Sequence, residues 1–122
     1  MKARAVVSLL VLSAIVLSEL ADAHALLVRT SPPRRAVLRD APKQVQLWFN
    51  ERLEPAYASV TVSNQSGTEV SAMKAAVEGE DRKGLSLRLP PLEPGTYTVR
   101  FRVLSVDGHL AEDSFAFSVR GK

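Results

Sequence analysis

Short stretches in which apolar and polar residues alternate constrain the fold of this chain more than any other feature. Because successive side chains of a β-strand point to opposite faces, each stretch predicts a strand with one buried face and one solvent-facing face. The stretches lie at 45–49, 58–63, 85–89, 97–103 and 115–119. Beyond the N-terminal segment, no stretch shows helical periodicity over three turns. The chain is therefore predicted to be all-β.

Turn-forming residues separate these stretches and define further, weaker strands. Turns rich in proline, glycine and small polar residues are expected at 31–33, 40–42, 64–67 and 90–95. Further expectations are β-prone segments at 25–30 and 36–38, a hairpin arm at 69–72, and a loop with at most a weak strand at 73–84. About seven short strands at this spacing predict an antiparallel β-sandwich of immunoglobulin-like type, and a closed barrel is the nearest alternative.

The N-terminal segment has the composition of a signal peptide. Lys2 and Arg4 precede an apolar stretch at 5–17, and the triplet Ala21-Asp22-Ala23 fits the small-x-small rule for cleavage. The apolar stretch has about 13 residues, whereas a membrane-spanning helix needs about 20. We therefore expect a cleaved signal peptide at 1–23 and an exported domain at 24–122, without stable membrane insertion after cleavage. In a bacterium, such a domain would be periplasmic or secreted.

The composition excludes several kinds of site. The chain has no cysteine, so disulfides, thiolate metal sites and cysteine nucleophiles are ruled out. Its net charge is only +3 and its basic residues are scattered, whereas a nucleic-acid-binding surface is a concentrated basic patch or stripe. We expect no nucleic-acid partner.

The chain has two histidines, and both lie where they could serve as metal ligands. After signal cleavage, His24 would carry a free α-amine, and that amine and its own Nδ1 can chelate one metal. Asp107 and His109 are two residues apart at the expected end of a strand, where an extended backbone directs both side chains to one side. Gly108 between them permits a turn. Glu51 follows another strand and could orient a ligand by a hydrogen bond.

The chemistry of these donors leaves two metals open. A nitrogen-rich set with one carboxylate suits Cu(II), the same set could hold Zn(II), and the general order of divalent affinities favours copper. The plainer interpretation is that His109 is an ordinary surface histidine and that Asp-Gly is a common turn dipeptide. The placement of both histidines at these two points favours the metal site.

Segments along almost the whole mature chain carry a resemblance to a known family. They are His24-Ala25, Ser31-Pro32-Pro33, Ala41-Pro42, Val45-Gln46-Leu47-Trp48-Phe49-Asn50-Glu51, Pro94-Gly95-Thr96-Tyr97-Thr98-Val99, Ser105-Val106-Asp107-Gly108-His109 and Ser114-Phe115-Ala116-Phe117-Ser118-Val119. In these segments the chain resembles the CopC family of periplasmic copper-binding proteins. An N-terminal histidine combined with Ser-x-Asp-Gly-His is the most specific part of the resemblance.

The resemblance implies a fold, a metal and a set of ligands. The expected fold is a Greek-key β-sandwich or barrel that binds Cu(II) outside the cytoplasm as a monomer. The expected ligands are His24, through amine and imidazole, Asp107 and His109, with Glu51 as an orienting group or weak ligand. An inner-membrane copper transporter of the CopD type is the expected protein partner.

The chain departs from the family pattern in two respects. Some members carry a methionine-rich loop that binds Cu(I) through thioethers, but Met73 is the only methionine beyond the expected signal peptide. No thioether Cu(I) site is therefore expected. Leu110, Asp113 and Arg35 stand where the family often has proline, glycine and glycine, and these positions lie in expected turns.

The expected function is therefore non-catalytic binding of Cu(II) in the periplasm, for copper homeostasis or resistance. One alternative is a copper-dependent oxidative enzyme, because an N-terminal histidine chelate also resembles the copper site of polysaccharide monooxygenases. Against it, Asp107 would occupy a coordination position that oxygen chemistry needs, and the chain is short, with few aromatic residues for a polymer. The other alternative is a metal-free immunoglobulin-like interaction module.

Overall fold

The computed structural model describes residues 27–71 and 73–121, which form eight β-strands and one short 3-10 turn. The strands are β1 (Leu27–Ser31), β2 (Val37–Leu38), β3 (Gln44–Phe49), β4 (Ser59–Ser63), β5 (Ala76–Glu78), β6 (Gly84–Arg88), β7 (Gly95–Leu104) and β8 (Leu110–Val119). The 3-10 turn, Pro55–Tyr57, lies between β3 and β4. The expected signal peptide and His24 lie outside the described residues. Within the described part, no helix has the length and apolar character needed to cross a membrane.

The strands form two four-stranded sheets, with the orders β1-β3-β6-β5 and β2-β8-β7-β4. Neighbouring strands are antiparallel except β2, which runs parallel to β8. The two sheets confirm the predicted all-β sandwich, with eight strands in place of about seven. A two-residue strand such as β2 is too short for its side-chain pattern to indicate the direction of its pairing.

The core lies between the sheets and is built from the apolar residues of the alternating stretches. The buried residues of the five stretches are Val45, Leu47 and Phe49, then Val60 and Val62, then Leu85 and Leu87, then Tyr97, Val99, Phe101 and Val103, and finally Phe115, Phe117 and Val119. Burial of one such side chain contributes about 1.5–3 kcal/mol, so the alternation fixes which face of each strand points inward. Phe49 meets Phe101 edge-on across the two sheets, with ring centroids 5.4 Å apart.

Two of the weaker expected segments form short stretches of β-pairing. β5 forms inside the stretch 73–84, which was expected to be a loop with at most a weak strand, and it pairs with the edge of β6. The hairpin arm expected at 69–72 pairs back on β4 over a short length: Glu69 bridges to Ser63, and the N–H of Val70 donates to the carbonyl of Val62 at 2.8 Å. The N–H of Val62 donates to the side-chain hydroxyl of Ser71 at 3.2 Å, where a regular ladder would have its next backbone bond.

The β7–β8 hairpin is longer than the apolar pattern indicated. β7 runs from Gly95 to Leu104, beyond the predicted stretch 97–103 at both ends, and β8 begins at Leu110, five residues before the buried Phe115. All ten residues of β7 pair with β8. Backbone pairing extends a hairpin through residues whose side chains face solvent, and side-chain alternation does not reveal this part.

One of the departures from the family pattern has a visible conformational consequence. Arg35, which stands where the family often has glycine, has a φ of 63° in the turn before β2. An L-residue in this left-handed region carries a strain of about 1–2 kcal/mol that glycine avoids. The backbone N–H of Arg35 donates to the carbonyl of Ala116 at 2.7 Å, which holds the turn against β8.

Connections at one end of the sandwich join the two sheets, and we call this end the site end. There Leu27 at the start of β1 pairs with Phe49 at the end of β3, and Leu104 pairs with Leu110 across the β7–β8 hairpin. Residues 50–54 pass from one sheet to the other, and Leu53, fully buried among them, forms a bridge with Ser105. The start of β1, the end of β3 and residues 105–109 therefore lie at the same end.

Candidate metal site

A five-residue loop, 105–109, joins β7 to β8 and carries Asp107 and His109. The N–H of Gly108 donates to the carbonyl of Ser105 at 2.9 Å, and the N–H of Ser105 donates to the carbonyl of His109 at 2.9 Å. Gly108 has a φ of 94°, and a Cβ built there would meet no atom within 4 Å. Its backbone conformation, and not a lack of space, is therefore what requires glycine in this loop.

The loop brings the predicted aspartate and histidine into contact. Asp107 Oδ1 lies 3.1 Å from His109 Nδ1, and the two side chains are 46% and 39% exposed. The predicted proximity is correct, but its cause differs from the one expected. The residues do not lie side by side on an extended strand; the turn at Gly108 folds the backbone so that they meet.

A buried hydroxyl organises the same loop. The hydroxyl of Ser105 donates to Asp107 Oδ1 and accepts the backbone N–H of His109 at 3.1 Å. The pKa of Asp107 is lowered below its ordinary value, first by the hydrogen bond from Ser105 and then by the one from His109. Because a lowered pKa keeps a carboxyl group ionised at lower pH, Asp107 is a negatively charged donor throughout the neutral range.

Glu51 is brought to the neighbourhood of this loop by the backbone. The carbonyl of Arg52, the next residue, accepts the N–H of Val106 at 3.0 Å, and the N–H of Glu54 donates to the carbonyl of Leu104 at 2.8 Å. Glu51 is therefore one residue from a segment that is hydrogen-bonded to Leu104 and Val106, on the β7 side of the loop, and it is partly exposed.

His24, the fourth predicted site residue, lies outside the described residues. Strand β1 is described from Leu27, three residues after His24, and Leu27 pairs with Phe49 at the site end. In the described ranges, no group of three or more histidine, cysteine, aspartate or glutamate side chains could hold a metal ion. Asp107 and His109 are thus two of the three predicted ligand residues.

Ser105 is the residue of the site to which the sequence analysis assigned no role. A signal for it was present, because Val99, Phe101 and Val103 face the core at a period of two, and Ser105 continues that period. It is fully buried. A serine at a core-facing position must satisfy its hydroxyl within the protein, since burial of an unpaired hydroxyl is costly.

The pair of donors has the spacing and chemistry of adjacent metal ligands. Two ligand atoms about 2.0–2.1 Å from one metal ion, at right angles, lie roughly 2.9 Å apart. The separation of Asp107 Oδ1 and His109 Nδ1, 3.1 Å, is close to this value. The same contact also allows Nδ1–H to donate to the carboxylate, an arrangement that directs Nε2 of a histidine toward a metal. One carboxylate oxygen and one imidazole nitrogen suit Cu(II) or Zn(II).

These features define a β-sandwich with a carboxylate–imidazole pair in the loop at one end, and comparison with known proteins identifies its family. Residues 27–120 match the model of the CopC domain. The chain therefore belongs to the CopC family, as its segments indicated.

Individual relatives agree with this assignment. Copper resistance protein C of Xanthomonas campestris pv. juglandis is 37% identical over 106 residues, which cover 82% of this chain and 83% of that protein. Protein YobA of Escherichia coli (strain K12) is 33% identical over 99 residues, 80% of each chain. The crystal structure of CopC from Methylosinus trichosporium OB3b superposes with a TM-score of 0.75 and 37% identity, covering 80% of this chain and 94% of that one.

A further relative is much longer than this chain. Copper transport protein CutJ of Bacillus subtilis (strain 168) is 29% identical over 112 residues, which cover 91% of this chain and 21% of that protein. Together the relatives and the family give this protein a role connected with copper.

Proposed function

We propose that this protein binds Cu(II) in the periplasm and sequesters or delivers it without catalysing a reaction. The observation that carries the proposal is the contact between Asp107 Oδ1 and His109 Nδ1, 3.1 Å, at the end of the sandwich where described strand β1 begins. A relative named for copper resistance supports copper as the metal.

His24 completes the proposed site. Cleavage after Ala23 leaves its α-amine free, and the amine and the imidazole then supply two nitrogen donors. His24 and Leu27 are three residues apart, and three residues span at most about 10 Å. Since Leu27 pairs with Phe49 at the site end, this short connection supports a site shared by His24, Asp107 and His109.

The proposed oxidation state follows from the donors. Amine, imidazole and carboxylate groups suit Cu(II) in a tetragonal arrangement, whereas Cu(I) prefers soft sulfur ligands. Met73 is 60% exposed in the segment before β5 and lies outside the β7–β8 loop. The proposal therefore includes no thioether Cu(I) site.

The absence of catalysis in the proposal rests on Asp107. Oxygen chemistry at copper needs a coordination position that the protein leaves open. The carboxylate of Asp107 is in contact with His109, and this supports the proposal that it fills that position. Glu51 is proposed to hydrogen-bond to a ligand from the neighbouring segment, since Arg52 is joined to the loop through Val106.

The proposed location and partner follow from the N-terminus and from one relative. The signal peptide at 1–23 would export the chain to the periplasm, where it would act as a monomer. The match to about a fifth of Copper transport protein CutJ shows a related domain within a larger transport protein. This supports a membrane copper transporter of the CopD type as the partner that exchanges copper with the site.

The first experiment compares two forms of the protein, one that begins at His24 and one with a single alanine added before it. Cu(II) affinity is measured by competition with a chelator, and electron paramagnetic resonance reports the donors. We expect one-to-one binding with a tetragonal, nitrogen-rich spectrum in the first form. In the second, the added residue removes the amine from its chelate ring, and affinity should fall by about 100-fold or more, a larger loss than the removal of a supporting group causes.

The control for this experiment is a check that both forms fold equally well. Trp48 is the only tryptophan of the chain, and its fluorescence together with thermal unfolding should be the same in both metal-free forms. Equal and weak Cu(II) binding by both forms would refute the proposed site and favour the metal-free interaction module.

A further inference from the structure

Two polar side chains are buried among the described residues, and they make the same kind of hydrogen bonds. They are Ser71, 8% exposed, and Ser105, 0% exposed. Each hydroxyl accepts one backbone N–H and donates to a carboxylate two residues away. For Ser71 the partners are Val62 N–H at 3.2 Å and Glu69 Oε2 at 3.3 Å. Both serines satisfy the requirement that a buried hydroxyl be paired.

The two serines differ in what their partners can do. The carboxylate and the N–H that Ser105 binds belong to Asp107 and His109, whose side chains meet at 3.1 Å. The carboxylate that Ser71 binds, that of Glu69, has no histidine beside it in the chain. Only the hydroxyl of Ser105 therefore acts on two residues whose side chains could together supply two ligand atoms to one metal ion.

The surroundings of Ser105 hold its hydroxyl in place. Ser105 directly follows β7, bridges to the buried Leu53, and donates its own N–H to the carbonyl of His109 at 2.9 Å. Asp107, in contrast, is at the middle of an exposed loop, where a free carboxylate would rotate among several rotamers. The hydroxyl of Ser105, which the core holds in place, is thus hydrogen-bonded to the Asp107 carboxylate, which would otherwise be mobile.

We propose that Ser105 is a positioning residue of the copper site: its hydroxyl holds the Asp107 carboxylate and the backbone at His109 in their binding arrangement before the metal arrives. This inference rests on the proposed function, because it assigns Ser105 a role in that site. Groups that hydrogen-bond to metal ligands typically change metal affinity by about 10–100-fold, because they orient the ligand that the metal must find.

The first test needs no copper. In the metal-free protein, amide hydrogen exchange of His109 is measured by NMR in the wild type, in Ser105→Ala and in Ser71→Ala. Loss of the acceptor should speed exchange of the His109 amide by about fivefold, the effect expected for one hydrogen bond. Ser71→Ala should leave it unchanged. Equal exchange at His109 in the wild type and Ser105→Ala would overturn the proposal, whatever the protein binds.

The second test measures Cu(II) affinity and the electron paramagnetic resonance spectrum of the form that begins at His24. Ser105→Ala should bind Cu(II) about 10–100-fold more weakly, with an altered spectrum, while Ser71→Ala should match the wild type. Ser105→Thr, which keeps the hydroxyl, should recover most of the affinity, and thermal unfolding shows whether its extra methyl group is tolerated.

A double-mutant cycle with Asp107→Ala separates positioning from a general effect on the fold. If Ser105 acts through Asp107, Ser105→Ala should cost much less affinity in the Asp107→Ala background than in the wild type. An equal cost in both backgrounds would overturn the proposal. If the wild type itself fails to bind Cu(II), the proposed function is wrong, and the exchange measurement still decides whether Ser105 organises the loop.

Discussion

Two loops at opposite ends of β7 have the same backbone hydrogen bonds but differ in their chemistry. We call them the site loop, 105–109, and the far loop, 64–68. In each, the N–H of the fourth residue donates to the carbonyl of the first, and the N–H of the first donates to the carbonyl of the fifth, at 2.8–2.9 Å. The fourth residue of each is a glycine in the left-handed region, Gly108 with a φ of 94° and Gly67 with a φ of 84°.

The first residue of each loop also uses its side chain in the same way. Ser105 Oγ accepts the N–H of His109 at 3.1 Å, and Asn64 Oδ1 accepts the N–H of Thr68 at 2.9 Å. Polar side chains that accept a nearby backbone N–H are a general means of stabilising turns. The backbone of the site loop is therefore an ordinary turn that the fold uses at both ends.

The differences lie at the third and fifth positions and in the surroundings. The site loop has Asp107 and His109 where the far loop has Ser66 and Thr68. The site loop lies at the end where described strand β1 begins, whereas the far loop lies beside the start of β7, with Gln65 Oε1 accepting the N–H of Thr96 at 3.2 Å. Under the proposed function, two side chains and their position near His24 distinguish a metal-binding loop from an ordinary turn.

The largest expected difference between the loops is in copper affinity. His109→Ala removes an imidazole ligand and should lower Cu(II) affinity by about 100-fold or more, above the range for supporting groups. Thr68→Ala changes the matching position of the far loop and should leave the affinity unchanged. Both substitutions keep the backbone N–H and carbonyl of the fifth loop residue, so the hydrogen bonds that these groups make within each loop are retained. Competition titration of both variants checks the difference, and equal affinities would show that His109 is not a ligand.

A smaller effect is expected from the two glycines. Gly108→Ala and Gly67→Ala should each lower the free energy of unfolding by about 1–2 kcal/mol, because alanine is strained in the left-handed region. A Cβ meets no atom within 4 Å at either position, so the two costs should be similar. Urea unfolding measures them. Only Gly108→Ala should also weaken Cu(II) binding. Unaltered binding would show that Cu(II) binding does not depend on the conformation of the site loop.

The smallest expected effect comes from transplanting the donor pair. Ser66→Asp combined with Thr68→His gives the far loop the sequence Asn-Gln-Asp-Gly-His. In a His109→Ala background, this change should raise Cu(II) affinity by no more than about threefold, since two donors alone leave most coordination positions to water. Chelator competition measures the change. Recovery of the wild-type affinity would mean that the position of the loop near β1 is unimportant.

Much of the fold could be predicted from the sequence because the side chains that a strand buries recur at every second residue. The buried faces of β3, β6 and β7 follow the alternation of their apolar residues, and the two-sheet sandwich follows from their number and spacing. β5 and the first half of β8 could not be predicted in the same way. Their backbone pairs with β6 and β7 while many of their side chains stay exposed, so the pattern of apolar residues carries little trace of them.

In the candidate site, too, some features could be predicted from the sequence and others could not. The sequence was enough to single out Asp107, His109 and the glycine between them as candidates, because these residues lie close together in the chain. The role of His24 remains a prediction. Two further features could be seen only in the folded chain: Ser105 is enclosed beside Leu53 with its hydroxyl on Asp107, and Arg52 binds the loop next to Glu51. Those contacts join two sheets, and the positions of the sheets depend on the packing of the whole core.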